Sequence, residues 1–239
     1  MRLHRYIALC GVCSRRKAED LIVEGRVSVN GDTVRQLGTK VSDIDDVQVD
    51  GKTIALADLI YVVMFKPVGF ITTMSDPQGR KTVQDLLPKL PTPVKPVGRL
   101  DVNSEGLLLL TNDGDLAMRL THPRHSVPKT YVASVDGVPN ERCLERLRRG
   151  ITVEGKRTGP ASVKLISAHR NGRNSRIEIT IKEGRNRQVR SMLAAAGHPV
   201  ASLKRTVFGP LKLRGMKPGE CRILGQKLVS QLRSRAGLD

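Results

Sequence analysis

Gly98-Arg99-Leu100-Asp101-Val102-Asn103-Ser104-Glu105-Gly106-Leu107-Leu108-Leu109-Leu110-Thr111 is the stretch on which the reading turns. Four consecutive leucines, bounded by Gly106 and by Asn112-Asp113-Gly114, fit a short strand buried on both faces. The residues before them are rich in Gly, Asn, Ser and Asp and fit a loop. A polar loop on a rigid buried strand is a common mount for a reactive group, and Asp101 is the carboxylate so mounted. Spacing alone makes a loop Asp a turn former or a cap. Asp113 is read as a turn residue and Asp115 as the cap of the next short helix, rather than as metal ligands.

Outward from this stretch, strand and helix signals alternate. Tyr61 to Lys66 is an apolar strand that Lys66-Pro67-Val68-Gly69 forces into a turn. Pro88, Pro91, Pro93 and Pro96 predict an extended, exposed loop. Ile177, Ile179 and Ile181 alternate with polar residues, the mark of a half-buried strand. Asn186 to Ala196 reads as a helix that Gly197 stops. At the start of the chain, Leu3, Ile7 and Cys10 share one helix face. Ser14 caps a second helix whose inner residues are Ala18, Leu21 and Ile22, and Gly25 ends it. Val27 and Val29 run into Asn30-Gly31, and Val47 and Val49 into Asp50-Gly51, two hairpin signals. The mixture predicts an α+β fold: a small α/β domain over residues 1–58, then a mainly antiparallel mixed-sheet domain over 59–239.

The chain has 239 residues, no Trp, three Phe and three Tyr, so aliphatic side chains must build the core. Its formal net charge is +18, far more than solubility needs and suited to a polyanion. Residues 1–60 hold nine basic and nine acidic groups, residues 61–181 hold 19 and 11, and residues 182–239 hold 13 and three. The neutral first segment is nevertheless polarised. Arg2, Arg5, Arg15, Arg16, Lys17 and Arg26 accompany its helices, while Asp43, Asp45, Asp46 and Asp50 crowd its strand region. Cys10 and Cys13 form a CxxC pair with no second pair to complete a zinc site, so reduced structural thiols are expected. Neither a signal peptide nor an apolar run of membrane length is recognised, and a cytoplasmic location is expected.

The first quarter resembles an S4 RNA-binding domain in three places: Leu3-His4-Arg5-Tyr6-Ile7, Ser14-Arg15-Arg16-Lys17-Ala18-Glu19, and Gly25-Arg26-Val27-Ser28-Val29-Asn30-Gly31. Gly98 to Asp101, with Ser104 to Gly114, is similar to the signature of the ribosomal branch of pseudouridine synthases. Lys66-Pro67-Val68-Gly69, Lys129-Thr130-Tyr131, Glu183-Gly184-Arg185-Asn186-Arg187-Gln188-Val189-Arg190 and Phe208-Gly209-Pro210-Leu211 extend the likeness in the expected order.

That resemblance implies roles. Asp101 stands for the family's essential carboxylate, and Arg99 for an Arg that helps displace the target base. Tyr131 stands for a Tyr that stacks on the base and exchanges a proton, and Arg190 for the basic partner of the Asp. Arg185, Arg187, Lys204 and Arg205, with the basic residues of the first domain, are expected to contact RNA. The implied protein is a monomeric isomerase with no metal and no cofactor. It acts on a uridine of ribosomal RNA, flipped from its stack or already unpaired. The stretch from Asp76 to Val83 resembles members that act on large-subunit RNA. Small-subunit RNA is the alternative substrate, and a non-catalytic ribosome-assembly factor the alternative function.

Overall fold

The structure, a computed structural model, describes every residue except Asp43, Asn171 and Asp239. The expected contribution of Asp43 to the acidic crowd therefore lies outside the described residues. Two compact units form. One comprises Met1–Ile60 with Leu90–Val94 and Asn112–Gly114, and the other holds the rest. A single boundary at 58/59 misses these returns of the chain. Asn112 explains one of them: its Oδ1 accepts from the Ile60 amide at 2.7 Å and its Nδ2 donates to the Asp58 carbonyl at 2.8 Å.

In the first unit, α1 (Leu3–Leu9) and α2 (Arg15–Val23) pack on a small sheet. The Ser14 hydroxyl accepts from the Lys17 amide at 3.2 Å and caps α2, and Gly25 at φ +74° ends it. β1 (Val27–Val29), β2 (Asp32–Thr33), β3 (Val47–Val49) and β4 (Lys52–Thr53) follow, in the spatial order β2-β1-β3-β4. Both hairpins turn where expected. Asn30-Gly31 and Asp50-Gly51 all hold positive φ, which matches the right-handed twist of the flanking strands. Leu3, Ile7, Ala18, Leu21, Ile22, Val27, Val47 and Val49 form the core.

In the second unit, β5 (Tyr61–Lys66), β6 (Lys95–Pro96), β7 (Glu105–Thr111), α3 (Gly114–Thr121), β8 (Lys129–Asp136) and α4 (Glu141–Arg149) come first. A small hairpin, β9 (Thr152–Val153) and β10 (Lys156–Arg157), then leads to β11 (Ser162–Ala168) and β12 (Asn174–Ile181). After these come α5 (Gln188–Ala195), β13 (Val200–Phe208), β14 (Leu211–Lys212), β15 (Cys221–Ile223) and α6 (Gln226–Arg235). The main sheet runs β11-β12-β8-β13-β7-β5-β15, with β14 beside β13 and β6 beside β7.

All the neighbours are antiparallel except β13 and β7, which run parallel with Lys204 opposite Glu105 and Arg205 opposite Gly106. That pair is a seam. On one side, α4 and α5 cover Ala133, Ile177, Ile179 and Leu203; on the other, α3 and α6 cover Tyr61, Val63, Leu107 and Leu109. Gly106 makes the seam possible. It holds φ +115°, and a Cβ there would lie 2.2 Å from the Arg205 carbonyl oxygen.

Three local expectations need correction. The proline-rich loop is not wholly exposed: Thr92, Val94 and Val97 are buried, and Lys95–Pro96 pairs with β7. Prolines fix φ without preventing an edge pairing. Asp115 is not the cap of α3; it lies inside the first turn, where a carboxylate still favours the helix dipole. α5 starts at Gln188 rather than Asn186, because Arg187 takes a left-handed φ of 48°.

Candidate active site

Asp101 sits on a tight turn, in which the Ser104 amide donates to the Asp101 carbonyl at 3.0 Å. Four groups fix this turn from behind. Lys66, 0% exposed at the end of β5, donates to the carbonyls of Pro67 (3.1 Å), Asp101 (3.0 Å) and Ser104 (2.7 Å). The Thr72 hydroxyl donates to the Leu100 carbonyl at 2.7 Å and accepts from its amide at 3.2 Å. The Gly69 amide donates to the Val102 carbonyl at 2.8 Å. Arg190, from α5, donates to the Asn103 carbonyl at 2.8 Å, the Ser104 hydroxyl at 3.3 Å and the Val200 carbonyl at 3.1 Å. The backbone is held while the Asp101 side chain stays 36% exposed.

That side chain lines a cleft of about 160 Å³ with Arg99, Tyr131, Lys129, Arg185, Arg187, Arg205 and Phe208. The volume falls below the roughly 300–1,000 Å³ of drug-sized ligand sites, so the cleft suits one small flat ring. Tyr131 is buried on β8, opposite Ile179 of β12 and Arg205 of β13. Arg99 is exposed at the cleft edge.

The structure brings Asp101, Tyr131 and Arg99 together, and it changes the arginine partner. The ion pair to the Asp101 carboxylate comes from Arg187, 3.7 Å away. Arg190 braces the turn carbonyl and hydroxyl instead, because α5 points it beneath the turn rather than into the cleft. Burial and the nearby Arg187 lower the Arg190 pKa, and Asp101 opposes that shift.

The expected phosphate contacts divide. Arg185 and Arg187 are exposed at the cleft. Lys204 is partly buried and pairs with Glu105 at 2.9 Å. Arg205 is only 2% exposed, so it belongs to the cleft floor and not to the outer surface. In the first unit Arg2, Arg15 and Arg16 are exposed, and Arg5 is half-buried. Lys17 lies 3.8 Å from Asp20. Arg26 is held by both Asp50 oxygens at 2.7 and 2.6 Å, an internal competitor for phosphate.

Two lysines in the site have no role in the sequence reading. Burial draws the Lys66 pKa down to about 8, with Asp101 opposing and Arg205 adding to the shift. Burial and then Arg205 likewise draw Lys129 down to about 8. Period-two alternation could have flagged Lys129, since it shares a strand face with Tyr131. Periodicity gives no comparable signal for Lys66, which ends an apolar strand as a surface Lys would; its place in Lys66-Pro67-Val68-Gly69 is what marks it.

The clamped Asp101 turn and the cleft beside it have room for a single small ring. Residues 60–195 match the family described as RNA pseudouridylate synthase, and residues 1–47 match the S4 domain. A Bacillus subtilis (strain 168) relative named ribosomal large subunit pseudouridine synthase B is 46% identical over 235 residues, 98% of this chain and 96% of the relative. An Aquifex aeolicus (strain VF5) relative described as an uncharacterized RNA pseudouridine synthase is 44% identical over 240 residues, covering 100% and 96%. A solved structure described as a pseudouridylate synthase superposes with a TM-score of 0.69 at 30% identity, covering 97% of this chain and 99% of that one. This chain belongs to the RNA pseudouridylate synthase family, and it carries an S4 RNA-binding domain ahead of the catalytic fold. It is an isomerase. Among the described residues no helix is long and apolar enough to cross a membrane.

Proposed function

We propose that this protein is a cytoplasmic monomer that isomerises a specific uridine of large-subunit ribosomal RNA to pseudouridine, with Asp101 as its catalytic carboxylate. The observation that carries this reading is the 46% identity, over nearly the whole of both chains, to a relative named for the large ribosomal subunit. The working division is residues 1–58 for RNA docking and 59–239 for catalysis.

The reaction breaks the N1–C1′ bond, turns the uracil and rejoins it through C5. The Asp101 carboxylate either attacks C1′ or takes the C2′ proton to leave a glycal. Both routes need its oxygens held at the sugar, and the Lys66, Thr72 and Arg190 clamps on the turn supply that placement. Arg187 faces the carboxylate, 3.7 Å away. Tyr131 offers a flat face to the uracil and a phenol that can exchange a proton with it, giving up its own as it takes one. Arg99, at the cleft edge, fills the space the flipped base leaves. Arg2, Arg5, Arg15, Arg16, Lys17, Arg185 and Arg187 contact phosphate, while the bonds of Arg26 to Asp50 must open for it to join them. Few aromatic side chains are available for stacking, so recognition rests on RNA shape and backbone.

The test has two parts. Pseudouridines in ribosomal RNA are mapped in cells with and without the protein, and one large-subunit position is expected to lose its modification. Asp101→Asn is then expected to abolish product while RNA affinity stays within about threefold, since only the interaction at the reacting centre is removed. A loss confined to small-subunit RNA refutes the substrate, and an active Asp101→Asn enzyme refutes the site.

A further inference from the structure

The floor of the cleft carries two cations, and among the described residues no carboxylate lies within ion-pair distance of either. Lys129 opens β8, and Arg205 lies beside it on β13, in a register that sets Arg205 opposite Tyr131 and Phe208 opposite Lys129. Both cations approach the Phe208 ring, the Lys129 ammonium 5.8 Å from its centroid and the Arg205 guanidinium 5.2 Å. The Lys129 ammonium donates to the Val127 carbonyl at 3.2 Å. The Arg205 Nε donates to the Leu107 carbonyl at 2.8 Å, but its Nη2 is buried with no hydrogen-bond partner. Arg205 is buried and Lys129 partly so, and two like charges drawn from water without an ion-pair partner, one with an orphaned donor, oppose folding. Both side chains line the cleft, where preorganised cations can offset charge that develops during reaction.

We propose that Lys129 and Arg205 form the site that holds the uracil anion released when the glycosidic bond breaks. This rests on the assignment of the cleft as the uridine site. When N1–C1′ breaks, the electron pair goes to N1 and spreads over O2 and O4, leaving a planar monoanion. C1′ is satisfied by a bond from an Asp101 oxygen, or by the electrons of the C2′–H bond as that proton moves to the carboxylate. C5 then supplies the pair for the new bond to C1′, and Asp101 leaves or returns the C2′ proton. C5 gives up its hydrogen as a proton and N1 takes one up, so the product has the atoms of the substrate. Lys129 and Arg205 exchange no proton in this scheme. They offset a charge that neither the bound uridine nor the product carries, which lowers the barrier without tightening substrate binding.

The experiment uses full-length enzyme and ribosomal RNA purified from a strain lacking this protein, with product read under single turnover. Lys129→Met keeps the aliphatic stem and removes the charge. It is expected to slow the rate about 10²–10³-fold, the usual cost of removing one such donor, with RNA affinity within about threefold. Lys129→Arg is expected to recover the rate to within about tenfold. If Lys129→Met does not fold, as judged by thermal melting, Lys129→Gln removes the same charge. A neutral variant with wild-type rate overturns the inference. So does an arginine variant as slow as the neutral one, which would mark a packing role. Asp101→Asn runs alongside: activity there shows that the cleft is not the reaction site, whatever Lys129 does.

Discussion

Gly106→Ala tests how the two halves of the large sheet are joined. Gly106 sits in the parallel pair between β7 and β13 at φ +115°, where L side chains are strained. An added Cβ would meet backbone atoms of Arg205, its carbonyl oxygen at 2.2 Å, its nitrogen at 2.6 Å and its carbonyl carbon at 2.9 Å. No rotamer relieves a clash with backbone, so β13 must move away. The unfavourable φ costs about 1–3 kcal/mol, and forcing the strands apart adds about 1–3 kcal/mol. The sum, about 2–6 kcal/mol, lowers the melting temperature by about 5–20 °C for a unit of this size. Because Arg205 moves with its strand, the cleft floor shifts too, and turnover at temperatures below melting is expected to fall more than tenfold, a change of about 1.4 kcal/mol in barrier. Thermal unfolding followed by far-ultraviolet circular dichroism, with a product assay on the same samples, measures both. A melting point within about 2 °C of wild type, together with an unchanged rate, would refute the claim that close approach at Gly106 holds the seam.

Arg190→Met removes the braces to Asn103, Ser104 and Val200. It is expected to lower stability by about 2–4 kcal/mol and to slow turnover, whereas Arg187→Gln, at an exposed pair, leaves stability within about 0.5 kcal/mol; chemical denaturation checks both. Replacing the exposed Arg15 and Arg16 by Gln is expected to reduce the salt slope of RNA binding by about one to two units in a filter-binding titration, and an unchanged slope would mean that they do not touch phosphate. Lys129 keeps its charge below a pKa of about 8 and loses it above, while Asp101, Tyr131, Arg185, Arg187 and Arg205 line the same cleft. The wild-type rate is therefore expected to decline between about pH 7 and about pH 9, and in Lys129→Arg, whose guanidinium stays charged, that decline should shrink to the part set by Lys66, whose pKa is also about 8.

Elements with a clean local signature were legible in the sequence. Asn30-Gly31 and Asp50-Gly51 turn the hairpins, and the Leu107–Leu110 run is a strand buried on both faces. The alternating isoleucines of β12 point inward. β13 was hidden, because Lys204 and Arg205 interrupt its apolar pattern and such residues ordinarily mark a solvent face. The same rule concealed Lys66, whose ammonium is enclosed because three carbonyls replace its water. Asp101 was singled out through its mount and its motif. The sequence reading pairs Asp101 with Arg190, whereas the ion pair in the structure is with Arg187; the two arginines share one short segment, and Arg187 is the left-handed residue at the start of α5.

The parallel seam has a consequence for the order in which the molecule comes into being. Asp101 lies more than a hundred residues ahead of Arg205 along the chain, yet the two line one cleft. Emerging from the ribosome, β5 and β7 can pair at once, but the strand that separates and joins the two cores arrives far later. Until residues 200–208 have been synthesised, the face of β7 meant for β13 is an unpaired edge. Such distant pairing makes folding slow relative to local hairpins. An incomplete chain therefore exposes a sticky edge and lacks the Arg205 side of the cleft.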